Sequence, residues 1–230
     1  MNNFAKENMG KWKSFIDRLE IYEKGMDLFA NNNSLVELTP YGKDQRLMLT
    51  RSKKMEELVT NEVTKLINDY KSQRFEYDGL IYMMYTLNNS EIIPLYIGKT
   101  ETVGKSSNLS VNIKDLDSQH PPKRFFARWG DGYAYHIGDL SAVVVNGHNN
   151  KYQTPKYLKW AKILFEDFPT NEPKLKIPLK FWCKAWKSSE VGVLDNLGPT
   201  NLTFLEYQII GITSSIFPDH LLNVEGQNRN

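Results

Sequence analysis

Residues 79–100 read Gly79-Leu80-Ile81-Tyr82-Met83-Met84-Tyr85-Thr86-Leu87-Asn88-Asn89-Ser90-Glu91-Ile92-Ile93-Pro94-Leu95-Tyr96-Ile97-Gly98-Lys99-Thr100. Two runs of aromatic, β-branched and aliphatic residues flank the polar tetrapeptide Asn88-Asn89-Ser90-Glu91, the pattern of a β-hairpin. Apolar residues fill alternate and intervening positions of both runs, so both faces of the hairpin are expected to be covered. Thirteen residues separate Tyr82 from Tyr96, a spacing that fits a tight hairpin. The second run leaves through Gly98-Lys99-Thr100, and a covered hairpin with two tyrosines and that exit points to a site at its edge.

Downstream, Lys176 to Trp186 alternates as a strand does. Ile177, Leu179, Phe181, Cys183 and Ala185 face one way, and Lys180, Trp182, Lys184 and Trp186 the other. This is the expected third strand of the core sheet, with one face buried, the other bearing lysine and tryptophan, and Cys183 in the core. Leu202, Leu205, Ile209, Ile210 and Ile212 mark a following helix that carries Glu206; Phe217-Pro218-Asp219-His220-Leu221-Leu222-Asn223 comes after it. Upstream, the spacing predicts amphipathic helices over residues 8–31 and 52–72, joined by a strand or extended link at 35–41.

Between the hairpin and the third strand, residues 101–119 read as a loop. Its Gly104-Lys105-Ser106-Ser107 lacks the glycine spacing of a phosphate-binding loop, so it is read as a loop and not as a nucleotide site. His120-Pro121-Pro122 opens an expected short helix that runs to Trp129 and puts Arg124 and Arg128 on one face. Tyr133 to Ser141 holds His136, His148 sits in a plain turn sequence, and residues 154–168 read as a helix. Between Lys151 and Glu190 nine lysines outnumber four acidic residues, a local charge of +5 among Tyr, Trp and Phe. That patch fits a surface tracking a phosphate backbone and equally a lysine-solvated surface, and composition leaves both open.

With 230 residues, 40% hydrophobic and 24% charged, the chain fits one globular domain with a core of ordinary size. The net charge of +2 says little about nucleic acid. Cys183 alone excludes an intramolecular disulfide and a cysteine-rich zinc site. The polar N-terminus predicts no signal peptide, and no apolar stretch reaches membrane-crossing length, so the chain is expected in the cytoplasm.

Gly79-Leu80-Ile81-Tyr82 and Tyr96-Ile97-Gly98 resemble the paired signatures of the GIY-YIG nuclease superfamily, most closely its small restriction-endonuclease members. Glu206 and Asn223 resemble, in order and context, the metal-binding glutamate and the later asparagine of that superfamily. The resemblance covers residues 79–129 and 176–227. It implies an α/β (α+β) fold, with a small three-stranded sheet flanked by helices. A helical N-terminal extension (residues 1–75) would precede the core (residues 76–230), which a helical insertion at about 130–175 interrupts.

It also implies a catalytic set of Tyr82, Tyr96, Lys99, Arg128, His136, Glu206 and Asn223. Tyr82 would be the general base, with its proton loosened by Lys99, Arg128 and a bound cation. Tyr96 would position the water or the phosphate, and Arg128 would hold the transition-state charge. His136 is the histidine expected near the arginine, although eight residues separate it from Arg128. Asn223 would steady the glutamate region. Glu206 would bind one Mg²⁺ or Mn²⁺, and Arg124, Lys105, Lys180 and Lys184 would touch DNA.

The expected activity is metal-dependent endonucleolytic cleavage of double-stranded DNA of restriction or defence type, possible for a homodimer that cuts both strands and requiring no membrane. The alternatives are a DNA-binding module of the same fold without catalysis, a repair or recombination nuclease, and an unrelated protein in which the motifs coincide.

Overall fold

The computed structural model describes residues 3–117 and 125–225. Helix α1 (Asn3–Arg18) and the single turn α2 (Ile21–Lys24) come first. Five short strands follow: β1 (Met26–Asp27), β2 (Asn31–Asn32), β3 (Leu35–Val36), β4 (Leu38–Tyr41) and β5 (Arg46–Leu49). Helix α3 (Lys53–Lys71) leads into the long hairpin of β6 (Tyr77–Asn88) and β7 (Glu91–Glu101). Helices α4 (His136–Val144) and α5 (Pro155–Leu164), strand β8 (Lys180–Lys187) and helix α6 (Leu202–Ile216) complete an α+β fold.

The hairpin turns at Asn89 and Ser90, both left-handed with φ of 47° and 67°. That is the turn whose twist matches antiparallel strands. The main sheet is antiparallel in the order β1-β8-β6-β7, so β6 is central and β7 lies at an edge. The third strand expected from the alternation therefore pairs with the first arm of the hairpin. Opposite β6, Met84 faces Tyr96 and Tyr85 faces Pro94, which leaves Leu95 as an extra residue on β7. A bulge of this kind re-aims a side chain, and here it puts Leu95 in the same core as its neighbour Tyr96.

Each face of the sheet has its own core. Leu80, Tyr82, Met84, Phe181, Cys183 and Ala185 pack beneath α3, α4 and α5. Ile81, Met83, Ile97, Trp182 and Trp186 pack beneath α1 and α6, against Trp12, Phe15, Leu205 and Ile209. The lysine and tryptophan face of β8 is therefore closed: Trp182 and Trp186 lie under two helices, while Lys180 and Lys184 stay half-buried.

The helix expected over residues 8–31 ends at Arg18. Glu20 takes a left-handed conformation with φ of 51°. At Gly25, a Cβ would fall 1.7 Å from Tyr85 Oη, so only glycine lets the chain pass the Tyr85 hydroxyl. Met26 and Asp27 then pair with Phe181 and Lys180 as a fourth strand of the sheet. Met26 and Phe29 carry the helical spacing, but Met26 pairs with β8 and Phe29 bridges to Arg51 in extended backbone, where Phe29 is buried in the core. The first 75 residues thus contribute strands as well as helices, with α1 and α3 built into the two cores.

Helix α3 starts where its sequence signals: Ser52 accepts a hydrogen bond from the Met55 N–H at 3.1 Å. The short helix expected from His120 falls partly outside the described residues. Its described end, Phe125 to Trp129, is a turn rather than a helix, because Ala127 and Arg128 are both left-handed, with φ of 43° and 74°. Among the described residues, no helix is long and apolar enough to cross a membrane.

Candidate active site

Tyr82 sits mid-strand on β6 between Gly98 of β7 and Cys183 of β8. It is 2% exposed. Its ring stacks on Phe181 with centroids 6.2 Å apart and meets Trp129 edge-on at 5.9 Å. The ring lies across the α-carbon of Gly98, where a Cβ would come within 2.6 Å of Tyr82 Cε2. The glycine of the second signature is thus the space in which the tyrosine of the first one lies. Tyr96, beside the bulge and on the same face as Tyr82, has its centroid 6.5 Å from Tyr82, 5.1 Å from His136 and 4.8 Å from Trp160.

The Arg128 turn is anchored from outside. Arg51 donates to Trp129 O at 2.8 Å and to Glu56 Oε1 at 3.0 Å, and its guanidinium lies 4.4 Å from the Phe126 ring centroid. Left-handed non-glycine residues persist where the surroundings over-determine them, and this anchor does so. The His136 N–H, at the first residue of α4, donates to Arg128 O at 2.9 Å. That bond explains how two residues eight apart become neighbours: residues 130–135 loop out and the chain returns to the arginine. His136 is buried, with Nδ1 2.7 Å from Tyr157 Oη, and among the described residues Nε2 has no partner.

Glu206 and Asn223 approach from the β7 edge. With Tyr96, Lys156 and Glu225 they line a cleft of about 220 Å³. Asn223 is buried, and its side-chain amide binds one residue of β7 twice. Oδ1 accepts from Ile97 N–H at 3.0 Å and Nδ2 donates to Ile97 O at 2.8 Å. Leu222 N–H adds a bond to Leu95 O at 2.7 Å. The amide therefore holds the strand that carries Tyr96 and Gly98. Asn223→Ala is expected to cost about 1–3 kcal/mol and to weaken Tyr96 placement. Chemical denaturation measures the first effect, and a wild-type midpoint would dismiss it.

Five residues named from sequence, Tyr82, Tyr96, Arg128, His136 and Glu206, thus share one electrostatic neighbourhood. No protein-family model, curated protein or solved structure matches the chain. The site is therefore interpreted from its own chemistry.

That chemistry corrects the expected ionisation of the tyrosines. Burial raises the Tyr82 phenol well above its ordinary value, with Tyr96 and Glu206 adding to the rise and Arg128 opposing it. Burial and Glu206 push Tyr96 up to about 12, again against Arg128. Desolvation of the phenolate outweighs one guanidinium, so the chain's own charges leave both phenols protonated. His136 moves the other way: burial, Lys156 and Arg128 hold its imidazole neutral well below the usual histidine range. Burial raises the Glu206 carboxyl, with Lys99 opposing. Lys99 itself pairs with Glu101 at 2.6 Å.

The basic residues expected on DNA separate from this cleft. Strand alternation sends Lys180 and Lys184 to the α1 and α6 face of the sheet. There Lys180 pairs with Asp27 at 2.8 Å, and Lys184 with Glu190 at 2.8 Å. Arg124 and the Lys105 side chain lie outside the described part of the structure. Among the described residues, no group of three or more His, Cys, Asp or Glu side chains could hold a metal. The carboxylates of Glu206 and Glu225 on the cleft still suit a hard cation that keeps most of its waters and takes phosphate oxygens.

Sequence reasoning missed Lys156, Trp160 and Trp129. Lys156 and Trp160 stand four apart on α5, the spacing that puts both on one helical face, and that spacing is the signal that would have found them. Trp129 gave no such signal, because it enters the site from a turn rather than a periodic element.

Proposed function

We propose that the chain is a metal-dependent DNA endonuclease of GIY-YIG type, acting in restriction or defence. One observation carries this reading: Tyr82, Tyr96, Arg128, His136 and Glu206, separated by up to 124 positions (Tyr82 to Glu206), share one electrostatic neighbourhood, and Tyr96 and Glu206 line the same cleft. Residue pairs that coincide with a motif by chance have no reason to meet in space.

Hydrolysis forms a bond from a water oxygen to phosphorus and breaks the bond to the 3′ oxygen. The water loses a proton and the 3′ oxygen gains one. Arg128 offers a planar donor fork for the phosphoryl oxygens as their charge grows. The protonated phenols of Tyr82 and Tyr96 can donate hydrogen bonds to the water or to phosphate, which is the role their burial supports before ionisation. The neutral imidazole of His136 can accept a hydrogen bond at Nε2 in the tautomer whose Nδ1 donates to Tyr157 Oη. A divalent cation held by Glu206 would supply charge stabilisation on the phosphoryl oxygens and cancel the carboxylate charge that opposes ionisation of both tyrosines.

The test is a cleavage assay on plasmid and phage DNA, modified and unmodified, with Mg²⁺ and with EDTA. Discrete fragments that need the metal are the expected result. Folded protein that leaves every substrate intact would replace this reading with that of a DNA-binding module.

A further inference from the structure

Helix α5 lies in the 130–175 stretch, which the hairpin resemblance leaves unexplained, yet it brings a cation to the site. Lys156 Nζ lies 4.9 Å from the ring centroid of Tyr96, 5.2 Å from that of Tyr157 and 5.3 Å from that of Trp160. It lines the cleft together with Tyr96, Glu206 and Asn223. Lys99, Lys180, Lys184 and Lys187 each hold a carboxylate. Among the described residues, Lys156 forms no ion pair, and three aromatic faces hold its half-buried ammonium instead.

Contact with ring faces steadies a desolvated ammonium without neutralising it. Arg128 opposes the Lys156 charge and Asp139 supports it, while burial pulls the lysine below its ordinary range. In the same ring cluster, His136 Nε2 and Trp160 Nε1 are buried with no hydrogen-bond partner among the described residues. Buried polar atoms are nearly always satisfied, so such orphans call for an explanation. A fixed ammonium on an aromatic floor, lining a cleft and beside the unpartnered Trp160 N–H, suits an anionic oxygen.

We propose that Lys156 binds a non-bridging oxygen of the DNA phosphodiester in this cleft, so that helix α5 belongs to the catalytic apparatus. This rests on the nuclease reading above. The ammonium would contribute a second positive charge opposite Arg128, and phosphate bound between them would remove the repulsion of the two cations.

Lys156→Met tests it, because methionine keeps the apolar stem on the rings and removes the charge. Lys156→Gln serves if the methionine variant fails to fold by circular dichroism. Lys156→Arg restores the charge, and Lys159→Met removes a charge from the exposed side of the same helix. Two readouts are taken: duplex DNA binding in EDTA as a function of salt, and plasmid cleavage with Mg²⁺. Loss of one phosphate contact lowers the slope of log affinity against log salt by about 0.9. The expected result is that loss in Lys156→Met with a cleavage rate down at least about 10-fold, the slope restored in Lys156→Arg, and Lys159→Met cutting at the wild-type rate. A wild type that binds or cuts DNA, matched by Lys156→Met in slope and rate, overturns the Lys156 assignment alone. A wild type that neither binds nor cuts overturns the nuclease reading and this one with it.

Discussion

Glu206→Gln is expected to abolish metal-dependent cleavage while leaving the protein at least as stable as wild type at neutral pH. Glutamine keeps the shape of the side chain and removes its charge. Loss of the carboxylate that would hold the cation is expected to lower the rate by at least about 100-fold, the scale of losing one preorganised electrostatic partner of a transition state. The stability half follows from the direction of the Glu206 shift. Burial raises its carboxyl above the ordinary value of 4.5. Between that value and the raised one, the folded chain binds more protons than the unfolded chain, so stability falls as pH rises through the interval. A neutral side chain escapes that loss. In wild type, the acid limb of the cleavage profile is expected above 4.5, because the cation needs the ionised carboxylate. Cleavage rates and thermal melts of the two proteins decide the matter. A variant that still cuts at the wild-type rate removes Glu206 from the metal role, and one that unfolds makes it a structural residue.

Gly98→Ala is expected to disable the site from within the sheet. A Cβ at this position would come 2.6–2.8 Å from Tyr82 Cε2, Oη and Cζ. The ring has nowhere to go, because Phe181 and Trp129 hold it on its other sides. The methyl must displace either Tyr82 or β7, an overpacking that costs about 1–3 kcal/mol. Either displacement spoils the relation between Tyr82 and Tyr96, and rates that depend on placement fall about 100-fold for shifts near 1 Å. A melt within error of wild type, together with wild-type cleavage, would refute the cross-strand account of this glycine.

The hairpin, the strand from Lys180 and the helix carrying Glu206 were legible in the sequence because each shows its period within one element. The candidate residues on those elements, Tyr82, Tyr96 and Glu206, came from the resemblance to the paired signatures, because periodicity alone reads them as packing or surface positions. The left-handed turn at Arg128 was not legible, since Arg51 imposes it from 77 positions away. The paired state of Lys180 and Lys184 depends on Asp27 and Glu190, which no periodicity links to them. The direction of the tyrosine shifts was hidden for the same reason. Depth of burial is set by Phe181, Trp129 and Trp160 together, and no single stretch contains all three.

The Asn223 amide behaves as a borrowed peptide group, a one-residue imitation of a fifth strand. Sheet edges invite pairing with other chains because their donors and acceptors stand open. On β7 the acceptor of Leu95 and both groups of Ile97 are already occupied by Leu222 and Asn223. A second molecule cannot extend the sheet through that part of the edge, which is the part flanking the cleft. Two copies cooperating on a duplex would have to meet on another surface, leaving each cleft mouth open to its own strand of DNA.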